Sequence, residues 1–192
     1  MSIAIRNDRR ATIPSAMAQA LGPGVWCLDP AYSAATFRVR AMGGLIGIGG
    51  RFKVLDGAIQ VDEAGRPSGH LRAHAGSLDT GIRMRDRHLR SADFFDVERH
   101  PYLEFSVREL AEDRSGRMRI TGELVIRGVA SLLEAQATVQ DAGDGTVEIA
   151  ADATVEHAAV GRALKRGRVI KGPALLTARL RFARDGKAES AR

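Results

Sequence analysis

The chain has one cysteine in 192 residues, Cys27. It has no partner for an internal disulfide, which suits a reducing compartment. No histidine lies near it in sequence, so a packed thiol is the reading and a nucleophile is not. Aromatic residues make up only 5% of the chain, and none of its strands has the aromatic pattern of an RNA-binding sheet. The net charge of +6 is spread along alternating segments and forms no basic block. No nucleic-acid partner is therefore expected. No run of about 18 apolar residues occurs, which excludes a membrane-spanning helix. The opening stretch is broken by Pro14, Ser15 and Gln19 and never becomes the apolar core of a secretory leader, so the expectation is a cytoplasmic protein.

Catalytic signatures are equally scarce. Gly43 to Gly50 is glycine-rich but lacks the closing Gly-Lys-Ser/Thr of a phosphate loop; it reads as a hairpin or bulged strand that could flap over a barrel mouth. No Gly-x-Ser-x-Gly elbow is present. His70 and His74 share a strand face but stand about 13 Å apart at the strand rise, too far to share one zinc ion. His88, His100 and His157 are isolated in sequence. No metal, no cofactor and no catalytic residue is assigned.

What the chain does have is period two. Ala35, Phe37, Val39 and Ala41 alternate with Thr36, Arg38 and Arg40. The same alternation places Leu71, Ala73 and Ala75 on one face, then Leu103, Phe105 and Val107, then Met118, Ile120, Leu124 and Ile126 with an interruption at Gly122. Val147, Ile149, Ala151, Ala153 and Val155 follow, and Ala178, Leu180 and Phe182 close the series. Turn signals separate these runs at Asp56-Gly57, Gly65-Arg66-Pro67, Ser115-Gly116 and Gly143-Asp144-Gly145. Eight or slightly more antiparallel strands with one wet face predict a sheet that closes into a barrel, because closure removes exposed edges. The fold class is all-β. Many inward residues are small, so the interior has room for one small ligand. The organisation expected is an arm over 1–24, a barrel domain over 25–184 and a polar tail over 185–192.

One window departs from the strand pattern. Ser77 to Phe105 contains Arg83, Arg85, Asp86, Arg87, His88 and Arg90, then Phe94 and Phe95. The spacing of Leu89, Phe94 and Phe95 predicts a short helix after the third or fourth strand, with an apolar side and a basic collar. Asp86 near its start is placed to accept backbone N–H groups and to pair with the arginines. An acid–base pair of Asp86 and His88 is the alternative chemistry.

Trp26-Cys27-Leu28-Asp29-Pro30-Ala31-Tyr32-Ser33, followed by Phe37 and Val39, resembles the opening strand of the YceI-like family. Asp79-Thr80-Gly81, the phrase from Arg85 to Asp96, His100-Pro101 before Phe105, and Gly122 to Val129 are similar to later phrases of that family, in the same order. His157 to Gly161 departs from an Arg-x-x-Phe-Gly phrase common in the family. The resemblance implies a lipocalin-like barrel with one short helix and a long apolar interior. It also implies non-catalytic binding of a polyisoprenoid, an isoprenoid quinone or a fatty-acid-like amphiphile, for sequestration or transport. The cavity wall is then expected from Phe37, Val39, Phe52, Leu78, Leu89, Phe94, Phe95, Phe105, Leu124, Ile126, Ile149 and Leu180. Arg83, Arg85, Arg87 and Arg90 are the head-group candidates. The partners left open are an enzyme substrate in the same cavity, another protein on a packed barrel, a second copy of the chain, and transient contact of the basic 162–171 segment with an anionic membrane surface.

Overall fold

The structure, a computed structural model, describes residues 20–41, 45–113, 117–164 and 170–185. In chain order the elements are β1 (Gly24–Leu28), β2 (Ala34–Ala41), β3 (Ile46–Phe52), β4 (Leu55–Val61), β5 (Pro67–His74) and β6 (Leu78–Asp79). Then come α1 (Arg83–Arg90), β7 (Tyr102–Glu112), β8 (Met118–Ile126), β9 (Val129–Gly143), β10 (Thr146–Val155), α2 (His157–Ala163) and β11 (Ile170–Arg184). Eight strands close a ring in the order β1-β4-β5-β7-β8-β9-β10-β11, every neighbouring pair antiparallel, with β11 pairing back to β1. β2, β3 and β6 extend the sheet outside that ring from β11.

Closure follows from the length of β11. Along one edge it pairs with β10 from Ala174 to Ala183. Its other edge is divided: Ile170 to Arg179 meets β2, and Phe182 to Arg184 meets β1. The chain steps from β1 to β2 through a short turn at Pro30–Tyr32, where the Asp29 carboxylate accepts the Ala31 N–H at 3.0 Å and the Ser33 hydroxyl donates to the Asp29 carbonyl at 2.7 Å. The Ser33 oxygen also accepts the Arg181 N–H at 3.0 Å, fastening the step to β11. Asp and Ser suit this position because short polar side chains can replace ladder hydrogen bonds where a strand is interrupted.

The alternation in sequence becomes inside and outside. At the end of the barrel that holds the β4–β5, β7–β8 and β9–β10 connections, Trp26, Leu28, Ile59, Val61, Met118, Val147 and Phe182 are buried in one cluster. Leu21 is only 3% exposed and belongs to that plug, so the residues just before β1 help to seal the barrel. The Trp26 indole donates to the Gly22 carbonyl at 3.1 Å. Fully burying each large apolar side chain here contributes about 1.5–3 kcal/mol. At the opposite end a second cluster gathers Val39, Phe94, Leu124, Leu133, Val155, Val160, Leu164 and Ala174.

Helix α2 is not legible in the sequence. The stretch that departs from the family phrase folds so that Val160, Ala163 and Leu164 enter the interior, a three- and four-residue spacing too short to stand out from the adjoining β pattern. Of the basic segment after it, Arg162 is exposed on α2, whereas Lys165, Arg166 and Arg168 lie outside the described residues. So do residues 1–19 of the arm, the tail from 186, the Ser115-Gly116 turn, and Gly43 and Gly44 of the glycine stretch. The rest of that stretch, from Ile46 on, is strand β3.

Two glycines on inward strand positions make space for phenylalanine rings. A Cβ on Gly122 would stand 2.4 Å from the Phe105 ring, and one on Gly50 would stand 2.7 Å from the Phe37 ring. Both distances are far inside van der Waals contact, so each ring occupies the space that a side chain at the glycine would need. Gly122→Ala is expected to lift the Phe105 ring, costing about 1–3 kcal/mol by overpacking. Urea denaturation measures the loss, and an unchanged midpoint would show that the ring does not depend on Gly122.

Candidate functional site

Between the two clusters lies a cavity of about 500 Å³. Its wall includes Phe37, Val39, Phe52, Leu89, Phe94, Phe95, Phe105, Leu124, Ile126, Ile149 and Leu180. Of the wall expected from the sequence, Leu78 alone does not border it: that side chain is fully buried, on a residue paired with Phe52. Phe37, Leu89, Phe95, Phe105 and Ala153 pack against both clusters yet are only half-buried. Their side chains point inward, so the surface they keep belongs to the cavity. Small residues at Ala73, Ala135, Ala151, Ala153, Ala174 and Ala178 provide the volume. The rings of Phe37 and Phe52 are tilted at 5.8 Å and those of Phe52 and Phe95 meet edge-on at 6.2 Å, an arrangement that fixes the wall without filling the space.

The segment from Asp79 to Pro101 holds one side of this cavity in place. Helix α1 has no side-chain cap, its N-cap being Ile82. Asp86, 6% exposed, instead reaches back to Thr80, accepting the backbone N–H at 2.9 Å and the hydroxyl at 2.5 Å. Arg85 grips the same residue, donating from Nε to the Thr80 hydroxyl and from Nη2 to the Thr80 carbonyl, both at 2.8 Å. Asp86 accepts a backbone N–H as expected, but from Thr80 in the loop before the helix, and the expected pairing with an arginine is corrected: Thr80 stands between it and Arg85. Thr80 belongs to one of the family phrases, yet its role is not legible in sequence, because a lone threonine before a helix carries no signal of two charged partners.

The four arginines separate. Arg85 borders the cavity with His88, but its guanidinium is already used by Thr80. Arg90 donates to the Leu78 carbonyl and does not border the cavity, and Arg83 and Arg87 are exposed. A basic collar around the cavity does not form. His88 packs edge-on against Phe94 at 5.0 Å, while Asp86 is turned to Thr80 and lies off the cavity wall. The alternative acid–base pair therefore does not face a common substrate space. Among the described residues, no group of three His, Cys, Asp or Glu side chains is placed to hold a metal ion.

A buried ion pair locks the far side of the segment. Arg127 Nη2 stands 3.4 Å from the Asp96 carboxylate, their side chains 16% and 10% exposed. Arg127 and Gly128 both have positive φ, the requirement of the tight turn that joins β8 to β9. That turn aims Arg127 at Asp96 in the loop after α1. Beside β3, Asp79 accepts from Lys53 at 2.9 Å and from the Gly81 N–H at 2.9 Å, and these partners hold its carboxyl down at about 2.

The fold and the cavity define a lipocalin-like antiparallel barrel with an apolar interior. This chain belongs to the YceI-like domain family, whose model matches residues 26–175. A UPF0312 protein of Pectobacterium carotovorum subsp. carotovorum is 34% identical over 111 residues, 56% of either chain. Protein YceI of Escherichia coli O157:H7 is 32% identical over 97 residues, 50% of either chain. The chain thus spans about half the length of these curated relatives. Among solved structures, Burkholderia cenocepacia BcnA superimposes with a TM-score of 0.68 at 21% identity, over 80% of this chain and 98% of that one. A polyisoprenoid binding domain from Saccharophagus degradans, implicated in plant cell wall breakdown, gives 0.67 at 18%, over 83% and 98%. At these identities the likeness shows a shared fold.

Thr80→Val is expected to lower stability by about 1.5–3 kcal/mol, the scale of a hydrogen bond to a charged group, whereas Thr80→Ser retains most of it. Chemical denaturation of both variants checks this. An unchanged midpoint in Thr80→Val would show that the hydroxyl does not hold the cluster, and a loss confined to Thr80→Ser would assign the effect to the methyl group.

Proposed function

We propose that this protein binds a long-chain apolar ligand inside the barrel, as a carrier or sequestering protein for a polyisoprenoid, an isoprenoid quinone or a fatty-acid-like amphiphile. The observation that carries the reading is the cavity of about 500 Å³ walled by inward Phe, Leu, Ile, Val and Ala side chains. An apolar occupant gains about 0.8 kcal/mol for each methylene taken from water. Polar recognition is not needed to hold a chain there. The description of the Saccharophagus degradans neighbour as polyisoprenoid binding supports the same ligand class.

Phe95 is the residue to test, because it packs against both clusters, borders the cavity and touches Phe52. Phe95→Asp would put a carboxylate in an apolar wall with no partner, a penalty of several kcal/mol for any apolar occupant. Delipidated protein is incubated with geranylgeraniol, and the bound alcohol is quantified after gel filtration. The expected result is stoichiometric retention by the wild type and none by Phe95→Asp, with β-type circular dichroism in both. Equal retention would remove Phe95 from the binding wall, and no retention by either would count against the binding reading.

A further inference from the structure

A second hollow, of about 720 Å³, lies on the outer side of β2, β3 and β11. It runs from Leu175 and Thr177 across Thr36, Arg38 and Gly49 to Arg51 and Asp79. Phe37 borders both this groove and the interior cavity. The wall between the two is thin at Gly50, where a Cβ would stand 2.7 Å from the Phe37 ring and 2.8 Å from the Thr80 methyl. With no side chain at Gly50, that ring and that methyl are what separate inside from outside. Thr80 is held by Arg85 and Asp86, so passage would require the Phe37 ring to turn away from its contact with Phe52 at 5.8 Å. Among the described residues, the edge of β3 facing Thr80 has no strand partner from Ile46 to Gly50, because β6 pairs only with Arg51 and Phe52. Passage there breaks no ladder hydrogen bond.

The charges of the groove favour an anion. Arg38 has no acidic partner among the described residues. Arg51 is 62% exposed and stands 3.6 Å from Asp79, whose closer cation is Lys53 at 2.9 Å. Positive charge is left over, carried by guanidinium groups whose fork matches a carboxylate or a phosphate. The half-exposed Leu175 gives the groove an apolar flank for the first carbons of a chain.

We propose that this groove is the head-group site for an anionic amphiphile, a carboxylate or phosphate ester on a long apolar chain, with its head between Arg38 and Arg51 and its chain entering the barrel past Phe37 at Gly50. This inference rests on the binding reading above and adds the charge of the ligand and its route of entry. On this reading the Arg85–Thr80–Asp86 cluster holds the fixed jamb of that entrance.

The test compares cis-parinaric acid with its methyl ester, the same fluorescent chain with and without the charge, on delipidated protein. The Arg38→Ala/Arg51→Ala double variant is expected to weaken the acid about tenfold, the scale of one charge-assisted hydrogen bond, and to leave the ester unchanged. Arg40→Ala, an exposed arginine on the same face of β2 but outside the groove, is expected to change neither. Phe37→Ala is expected to speed uptake of both probes. Equal losses for acid and ester, an equal loss of the acid in Arg40→Ala, or an unchanged uptake rate in Phe37→Ala would each overturn the proposal. Inorganic phosphate titrated alone separates a head-group site from a free-anion site: saturable binding abolished by the double variant, with no acid–ester difference, would overturn the amphiphile. Failure of both probes to bind wild-type protein would instead defeat the binding reading, and this inference with it.

Discussion

The divided pairing of β11 is the constraint on which this molecule depends. One fifteen-residue strand must satisfy β10 along one edge and two separate strands along the other. Where it meets β1 the ring is closed and packed solid by Trp26, Leu28 and Phe182. Where it meets β2 the sheet runs outward through β3, and the barrel wall opposite is left to a loop and a helix. A closed end and a loosely walled end follow from the same strand. The cavity is walled by members of both clusters, Ile149 and Leu180 from one and Leu124 and Val155 from the other.

The segment from Asp79 to Asp96 substitutes for the missing strand pairing. It contributes Leu89, Phe94 and Phe95 to the interior and is held at both ends by charged groups, Arg85 and Asp86 on Thr80 and Asp96 on Arg127. Buried charges of this kind contribute little net stability but are costly to leave unpaired, so they favour one placement of the loop over others. Shape is what the polar residues supply. The apolar residues they position supply the cavity wall.

Much of this is legible in the sequence and some is not, for physical reasons. Period-two alternation marks the strands and their inward faces because one side of each is wet. The interruption of the pattern at Gly122 is visible, but its cause is not, since the ring that fills that place comes from Phe105 on the neighbouring strand. The basic window is visible as a cluster of arginines, but the collar it suggests does not form: side-chain direction is set by the Thr80 loop, which no spacing rule describes. α2 is hidden because a seven-residue helix leaves too few positions for a period to show. The external groove is invisible, being made from three strands and a loop distant in sequence.

The central claim is that the barrel interior is a ligand site and not a packed core with a flaw in it. Native mass spectrometry of protein purified without detergent, followed by denaturation and organic extraction, tests it most directly. The account predicts a stoichiometric added mass that is released on unfolding and proves to be a prenyl or acyl compound. A bare polypeptide mass that stays bare after incubation with a mixed pool of isoprenoids and fatty acids would contradict it.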